Sequence, residues 1–227
     1  MVEIRGRIAA AAERGGRDPD AVRIVAAAKT VDPERVRWTA EAGVTAIGHN
    51  YVQELAAARD ELADLTLRWH YIGAVRSGTA ARVADLADVV ETVAGERAAR
   101  RLAGRATRAG RTLDALIEVD FTGKRSGVPP DRLPATADLV SSLAGLRLRG
   151  LMTVPPLTAT AEEARSWFAR LRRLRDDLSE THPDVLELSM GMSQDYPVAV
   201  EEGATMVRIG TALFGPRLAQ GPAPPPP

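Results

Sequence analysis

"MVRIGTALFG", residues 206–215, decides how this chain of 227 residues folds. An apolar run carrying Arg208 breaks at Gly210 and Thr211 and passes at once into a short helical run, the pattern of a strand handing over to a helix through a tight turn. The other end of the chain repeats the device: "AVRIVAAAKT" (21–30) is an apolar run that stops at Lys29.

Between these ends the same alternation continues. "RIVAAA" (23–28) precedes a helical pattern from Asp32 to about Ala42, and "VTAIG" (44–48) precedes one from Val52 to about Leu65. "RWHYIG" (68–73) is followed by a helix around 77–86, and "DVVETV" (88–93) by "GERAARRLAGRATRAG", helical until Gly110. "LDALIEVDF" (113–121) leads to a helix near 130–143, and "LRLRGLMTV" (146–154) to a long one from about 160 to 179. "DVLELSMG" (184–191) gives way to "SQDYPVAVEEG", and "TMVRIG" (205–210) to "TALFG". Eight such pairs predict an α/β fold: a single-domain TIM-type (β/α)8 barrel with an added N-terminal helix and its site at the carboxyl ends of the strands. An open doubly wound sheet is the competing architecture. It calls for a glycine-rich fingerprint after its first strand, and "AAAKTVDP" lacks the glycines. The barrel is expected over residues 1–218, with 219–227, ending in "GPAPPPP", as a disordered proline-rich tail.

Composition narrows the function. Thirty basic and thirty acidic residues give a formal net charge of zero, so neither nucleic acid nor a membrane surface is an expected partner. Cysteine is absent, which removes disulfides, thiolate nucleophiles and soft metal sites and fits a reducing cytoplasm. "MVEIRGRIAA" reads as an amphipathic first helix rather than a secretory signal, and no apolar run approaches a membrane span.

Only two of the thirty basic residues are lysines, Lys29 and Lys124. Arginine cannot offer the free primary amine that imine chemistry needs, so a lysine kept in an arginine-rich chain marks a place where an amine has a use. Lys29 follows small and aliphatic residues at the first strand end, surroundings that favour a free amine able to attack a carbonyl. A lysine snorkelling from a helix start is the plainer alternative.

The seventh and eighth strand ends supply an anion-binding half. In "SMGMS" (189–193), Gly191 permits a tight turn with convergent amides, and Ser189 and Ser193 can add hydroxyls. Gly210 and Thr211 lie where the last strand becomes a helix whose free amides favour a phosphate. Loops after strands seven and eight are a frequent phosphate site of this architecture. With Lys29 they describe a site for a carbonyl compound with a phosphate handle. Arg208 shares the face of Gly210 by strand alternation, and an arginine turned into a barrel needs an acceptor, either a ring nitrogen or a neighbouring acid. His49, Asn50 and Tyr51 end the second strand, His70 lies on the third, and Met152 and Thr153 end the sixth, forming a polar rim. No acidic cluster accompanies the histidines, and no metal is expected.

The amine at the first strand end, "GHNYVQE" (48–54), "WHYIG" (69–73), "RLRGLMTVPP" (147–156), "LSMGMSQD" (188–195) and "EGATMVRIGTALFG" (202–215) together resemble the pyridoxal phosphate homeostasis protein family, also called YggS-like or proline synthetase co-transcribed, from about residue 5 to 217. The resemblance implies a barrel like the N-terminal domain of bacterial alanine racemases, with pyridoxal 5′-phosphate held as a Schiff base on Lys29. It also implies phosphate contacts from Ser193, Gly210 and Thr211, Arg208 facing the pyridine nitrogen, and Asn50 and Met152 bordering the ring. The implied role is intracellular vitamin B6 homeostasis with linked amino- and keto-acid pools, carried out by a monomer with no firmly established reaction.

The chain departs from the family pattern at three places. His49 stands where the family commonly has glutamate, and "AVRSGT" (74–79) replaces a stretch containing asparagine and lysine that helps to shape the cofactor mouth. Arg125 takes the place of a lysine before Ser-Gly. Two other functions compete with the carrier reading. One is a pyridoxal phosphate-dependent racemase or aldolase-like enzyme using the same lysine, for which Tyr51, Tyr71 and Tyr196 are the only tyrosines that could serve as a second base. The other is an interaction module that takes no cofactor.

Overall fold

The computed structural model describes residues 1–216; the expected tail, 219–227, lies outside them. Eight parallel strands form a closed barrel in chain order. They are β1 (Arg23–Ala27), β2 (Ala46–His49), β3 (Arg68–Tyr71), β4 (Val89–Val93), β5 (Leu113–Glu118), β6 (Leu146–Met152), β7 (Glu187–Met192) and β8 (Met206–Ile209). Closure comes from β1 pairing β8, with Arg23 opposite Met206 and Ala26 opposite Ile209. The helices are α1 (Val2–Arg14), before β1, then α2 (Pro33–Glu41), α3 (Val52–Glu61), α4 (Ala80–Leu86), α5 (Glu96–Arg108), α6 (Leu133–Ser142), α7 (Arg165–Ser179), α8 (Tyr196–Glu201) and α9 (Thr211–Phe214), each after its strand.

Strand alternation sorts side chains into two cores. Ala26, Ile47, Val90, Ile117, Leu151, Leu188, Val207 and Ile209 face outward and pack under the helices, joined there by Leu55, Leu102 and Phe168. Val25, Ala46, Val89, Leu116, Met152 and Met206 fill the barrel interior as a separate apolar layer. Near the amino ends of the strands, Asp114 takes ion pairs from Arg68 and from Arg147 (Nε to Oδ1, 2.6 Å), below that layer. Above it the interior turns polar again, at the end where the site lies.

Local sequence explains where helices begin and what they bury. Asp32 caps α2, its Oδ1 accepting the Glu34 amide at 2.9 Å, and Pro33 occupies the first turn, where its missing N–H costs nothing. In α5 the stripe Ala98, Ala99, Leu102, Ala103 and Ala106 is buried while the arginines between them face solvent. The N-terminal helix lays Ile4, Ile8, Ala11 and Ala12 against the body, and Arg14 pairs with Glu201, the last residue of α8, at 2.7 Å.

Several boundaries are tighter than the hydrophobic pattern suggests. The strand expected at 68–73 ends at Tyr71, and the one expected at 113–121 ends at Glu118. The long helix starts at Arg165 after a 3-10 turn over Glu162–Ala164. Lys29 stands two residues beyond the end of β1.

Candidate functional site

The carboxyl ends of the strands surround a cavity of about 1110 Å³, and Lys29, Asn50, Met152, Ser193, Arg208, Gly210 and Thr211 all line it. Lys124 is exposed and does not.

Lys29 reaches the cavity through a sharp reversal. Thr30 has φ +57°, the sole left-handed residue other than glycine among the described residues, and its amide donates to Glu54 Oε2 at 3.4 Å. Lys29 is only half-buried, less enclosed than its apolar stem implies, and its Nζ lies 4.9 Å from the ring centroid of the half-exposed Tyr51. The ring is a support for the amine at the cavity edge. Asn50 is set close by because Gly73 lets two chains touch: a Cβ at Gly73 would fall 2.0 Å from the Asn50 carbonyl oxygen. Its Nδ2 donates to the Ile72 carbonyl at 3.4 Å.

Beside β1, the loops after β7 and β8 meet at one hydroxyl. Ser193 Oγ accepts the amides of Gly210 at 3.3 Å and of Ala212 at 3.1 Å. The amides that converge there are those of Gly210 and Ala212; Thr211 supplies the exposed first residue of α9 between them. The turn that brings Ser193 across depends on Gly191, at φ +87°, where a Cβ would meet the Ala199 Cβ at 2.5 Å. Asp195, 8% exposed, holds the same turn by accepting the Met192 amide at 2.6 Å, and burial pushes its carboxyl up.

Arg208 forms the cavity floor. Its Nη1 donates to Ser189 Oγ at 2.6 Å and its Nη2 to the Thr153 carbonyl at 2.8 Å. Ser189 in turn donates to Glu91 Oε2 at 2.6 Å, while Glu91 Oε1 lies 2.6 Å from His70 Nδ1. Ser189 is therefore not the anion donor that its position in "SMGMS" suggests. It is fully buried within a polar chain from β3 through β4 and β7 to β8. Burial drives Glu91 toward protonation, but the His70 hydrogen bond, the His70 and Arg208 charges and the Ser189 hydroxyl outweigh it and hold the carboxyl below its usual range. Burial also lowers Arg208, against the pull of Glu91, Asp195 and Glu118.

Two departures of the rim have definite positions. His49 points away from the cavity, stacked on Trp69 with ring centroids 6.2 Å apart. It is 2% exposed with neither ring nitrogen hydrogen-bonded, and burial pushes it down to about 4. Ala74, Val75, Arg76 and Ser77 line a separate hollow of about 400 Å³ with Thr92, Arg97 and Glu118, so this segment does not shape the main cavity. None of the three tyrosines lines that cavity. Among the described residues no His, Cys, Asp and Glu group gathers as a metal site.

Glu91 and Ala212 are among the residues that the sequence analysis did not single out, as are Arg7 and Arg35 of the cavity lining. Glu91 did carry a signal: an acid in the middle of the apolar run "DVVETV", on the alternation phase of the barrel-facing Val89. Ala212 had none, because it contributes through its backbone.

This donor set suits one compact ligand. An amine can condense with an aldehyde, two amides and a hydroxyl can hold a phosphate, a guanidinium can meet a ring nitrogen, and the buried Met152 offers an apolar wall.

Comparison with known proteins agrees with this chemistry. Residues 4–217 match the family described as alanine racemase, N-terminal domain. The pyridoxal phosphate homeostasis protein of Pseudomonas aeruginosa is 41% identical over 225 residues, covering 98% of this chain and 96% of that protein. The protein of the same description from Aquifex aeolicus is 38% identical over 214 residues, covering 93% and 94%. PipY of Synechococcus elongatus, solved with PLP bound, superposes with a TM-score of 0.82 at 36% identity, covering 90% of this chain and 100% of that one. An alanine racemase of Clostridium difficile shares the fold, with a TM-score of 0.75 at 16% identity over 96% of this chain and 56% of that one.

Proposed function

The chain belongs to the pyridoxal phosphate homeostasis family, a branch of the alanine racemase N-terminal-domain group, and we propose that it binds pyridoxal 5′-phosphate and serves vitamin B6 homeostasis as a carrier or regulator. When bound, the cofactor supplies an aldehyde and an electron-accepting ring. Lys29 Nζ is the amine that takes the aldehyde as a Schiff base, with loss of one water. Ser193 and the amides at Gly210, Thr211 and Ala212 hold the phosphate, Arg208 meets the ring nitrogen, and Asn50 and Met152 border the ring.

The observation that carries this reading is that Lys29, beyond β1, and the amides converging at Ser193, beyond the adjoining β7 and β8, line one cavity. A cation at the ring nitrogen disfavours pyridinium and leaves a weaker electron sink than an acid would, which suits holding over broad carbanion chemistry. The racemase or aldolase alternative loses support from the tyrosines: Tyr71 and Tyr196 are buried elsewhere, and Tyr51 lies outside the cavity lining. Arg7 and Arg35 also line the cavity, with Arg125 paired to Glu118 at 3.1 Å beside them, which favours a second small anion, an amino or keto acid, as a further ligand.

The protein is proposed to work as a cytoplasmic monomer. The absence of cysteine suits a reducing compartment, and among the described residues no helix is long and apolar enough to cross a membrane. The test is titration of the purified protein with pyridoxal phosphate. A saturable visible band trapped by borohydride on Lys29 supports the reading, and no band, or an adduct on Lys124, rejects it.

A further inference from the structure

Glu91 is a fully buried carboxylate in the barrel interior and is not among the residues that line the cavity. A bare charge there is costly, and an apolar residue would continue the layer of Val89 and Leu116 at no such cost. Its neighbours suggest what it is for. Its two oxygens engage His70 and Ser189 at 2.6 Å each, and Ser189 accepts Arg208 at 2.6 Å. Ser189 thus receives a proton donor from the arginine and gives its own to the carboxylate, a relay that fixes the hydrogen-bond direction along the whole chain.

Arg208 is held from two sides, by Ser189 on β7 and by the Thr153 carbonyl beyond β6. Those contacts use two of the five N–H donors of a guanidinium and leave the others for the cavity that Arg208 lines. Other charges also face this arginine: Asp195 and Glu118 attract it and Arg125 opposes it. Glu91 is the one whose linkage to it is hydrogen-bonded, through a single hydroxyl.

We infer that Glu91 is a positioning residue which, acting through Ser189, fixes Arg208 at the cavity floor and sets the positive field felt by a bound cofactor ring. This rests on the reading of Arg208 as the partner of the ring nitrogen. With the carboxylate present, the field of Arg208 is partly balanced. Without it, the uncompensated cation disfavours a proton on the imine nitrogen across the ring.

The experiment compares wild type, Glu91→Gln and Ser189→Ala, each loaded with pyridoxal phosphate, by titrating the visible absorption band against pH and by reading the ring-nitrogen chemical shift with 15N-labelled cofactor. Glu91→Gln keeps the shape and removes the charge; it is expected to move the band's midpoint down by about one pH unit, tenfold in the proton equilibrium. Ser189→Ala keeps the charge and cuts the relay; it is expected to change the ring-nitrogen signal while retaining the band, and it carries the test should Glu91→Gln not fold. A folded Glu91→Gln that titrates as wild type, or a Ser189→Ala with an unchanged ring-nitrogen signal, overturns the inference. A wild type that forms no visible band refutes the cofactor reading itself, a different failure from either of these.

Discussion

The Ser193 hydroxyl accepts the Gly210 amide at 3.3 Å, which joins the loops after β7 and β8 at one point of the cavity that Lys29 also lines. Neither loop alone differs from an ordinary turn. Joined, they present convergent donors where a phosphate can take the place of the hydroxyl as acceptor. Ser193→Ala is expected to weaken pyridoxal phosphate affinity by about tenfold, the worth of one hydrogen bond to a charged group. Inorganic phosphate should compete less well in the variant. Fluorescence titration of both proteins with each ligand checks this, and unchanged affinity for both would remove Ser193 from the phosphate site.

Lys29→Ala is expected to abolish the visible band while leaving measurable affinity for the phosphate half of the ligand, because the amine and the amides act on opposite ends of it. Lys124→Ala should leave the band unchanged, as Lys124 lies outside the cavity lining. Absorption spectra and peptide mapping after borohydride reduction read both outcomes.

Gly191 sits at φ +87° with the Ala199 Cβ 2.5 Å from where its own Cβ would be. Gly191→Ala therefore meets both backbone strain and a core clash, and about 3 kcal/mol of stability should be lost. Urea unfolding measures it. Cofactor affinity should fall along with stability, since the turn at Gly191 carries Ser193.

His49 gives a pH dependence of stability with a definite sign. Burial pushes His49 down to about 4 in the folded protein, where neither ring nitrogen is hydrogen-bonded and the Glu54 carboxylate lies 3.8 Å from Nδ1, while the unfolded chain takes up its proton near 6.5. Between those values the unfolded state binds more protons, so stability falls as pH drops through that window and this contribution levels off below it. The total is about 3 kcal/mol. His49→Leu removes the group, and its urea-unfolding free energy should decline less than that of wild type from pH 7 to 4.5; parallel curves would count against the assignment.

The eight strands and their order were legible because each apolar run is short, ends in a turn residue and is followed by a helical stripe, as "TMVRIGTALFG" shows. The strand-end residues of the cavity, Lys29, Asn50, Met152, Ser193, Arg208, Gly210 and Thr211, were legible for the same reason, since strand ends in a barrel share one face, whereas Arg7 and Arg35 come from α1 and α2. Ser189 was misread because the turn at Gly191 attracted both serines of "SMGMS" to one role, whereas strand alternation puts Ser189 inside the barrel. His49 followed the opposite path: it reads as part of the rim, and its alternation phase turns it outward onto Trp69. The 74–77 hollow depends on how β3 leaves the barrel after Tyr71, which no local pattern specifies.

Reversible removal of an amino acid's α-proton followed by return to the opposite face needs a base on each side. Lys29 serves one side of this cavity, and none of the three tyrosines lines the other. Arg208, held by Ser189 and the Thr153 carbonyl, also leaves the ring a modest electron acceptor. The loaded protein is therefore expected to exchange the α-proton of L- and D-amino acids slowly and with retention, because a cofactor on a lysine labilises that proton even where nothing completes the inversion. Deuterium incorporation followed by chiral analysis over a panel of amino acids reads exchange and inversion separately, and a cofactor-transfer assay to an apo-enzyme run beside it reads the carrier role. Fast exchange with inversion, lost in a folded Lys29→Ala, would make the protein a racemase and leave the carrier assignment without its main physical support.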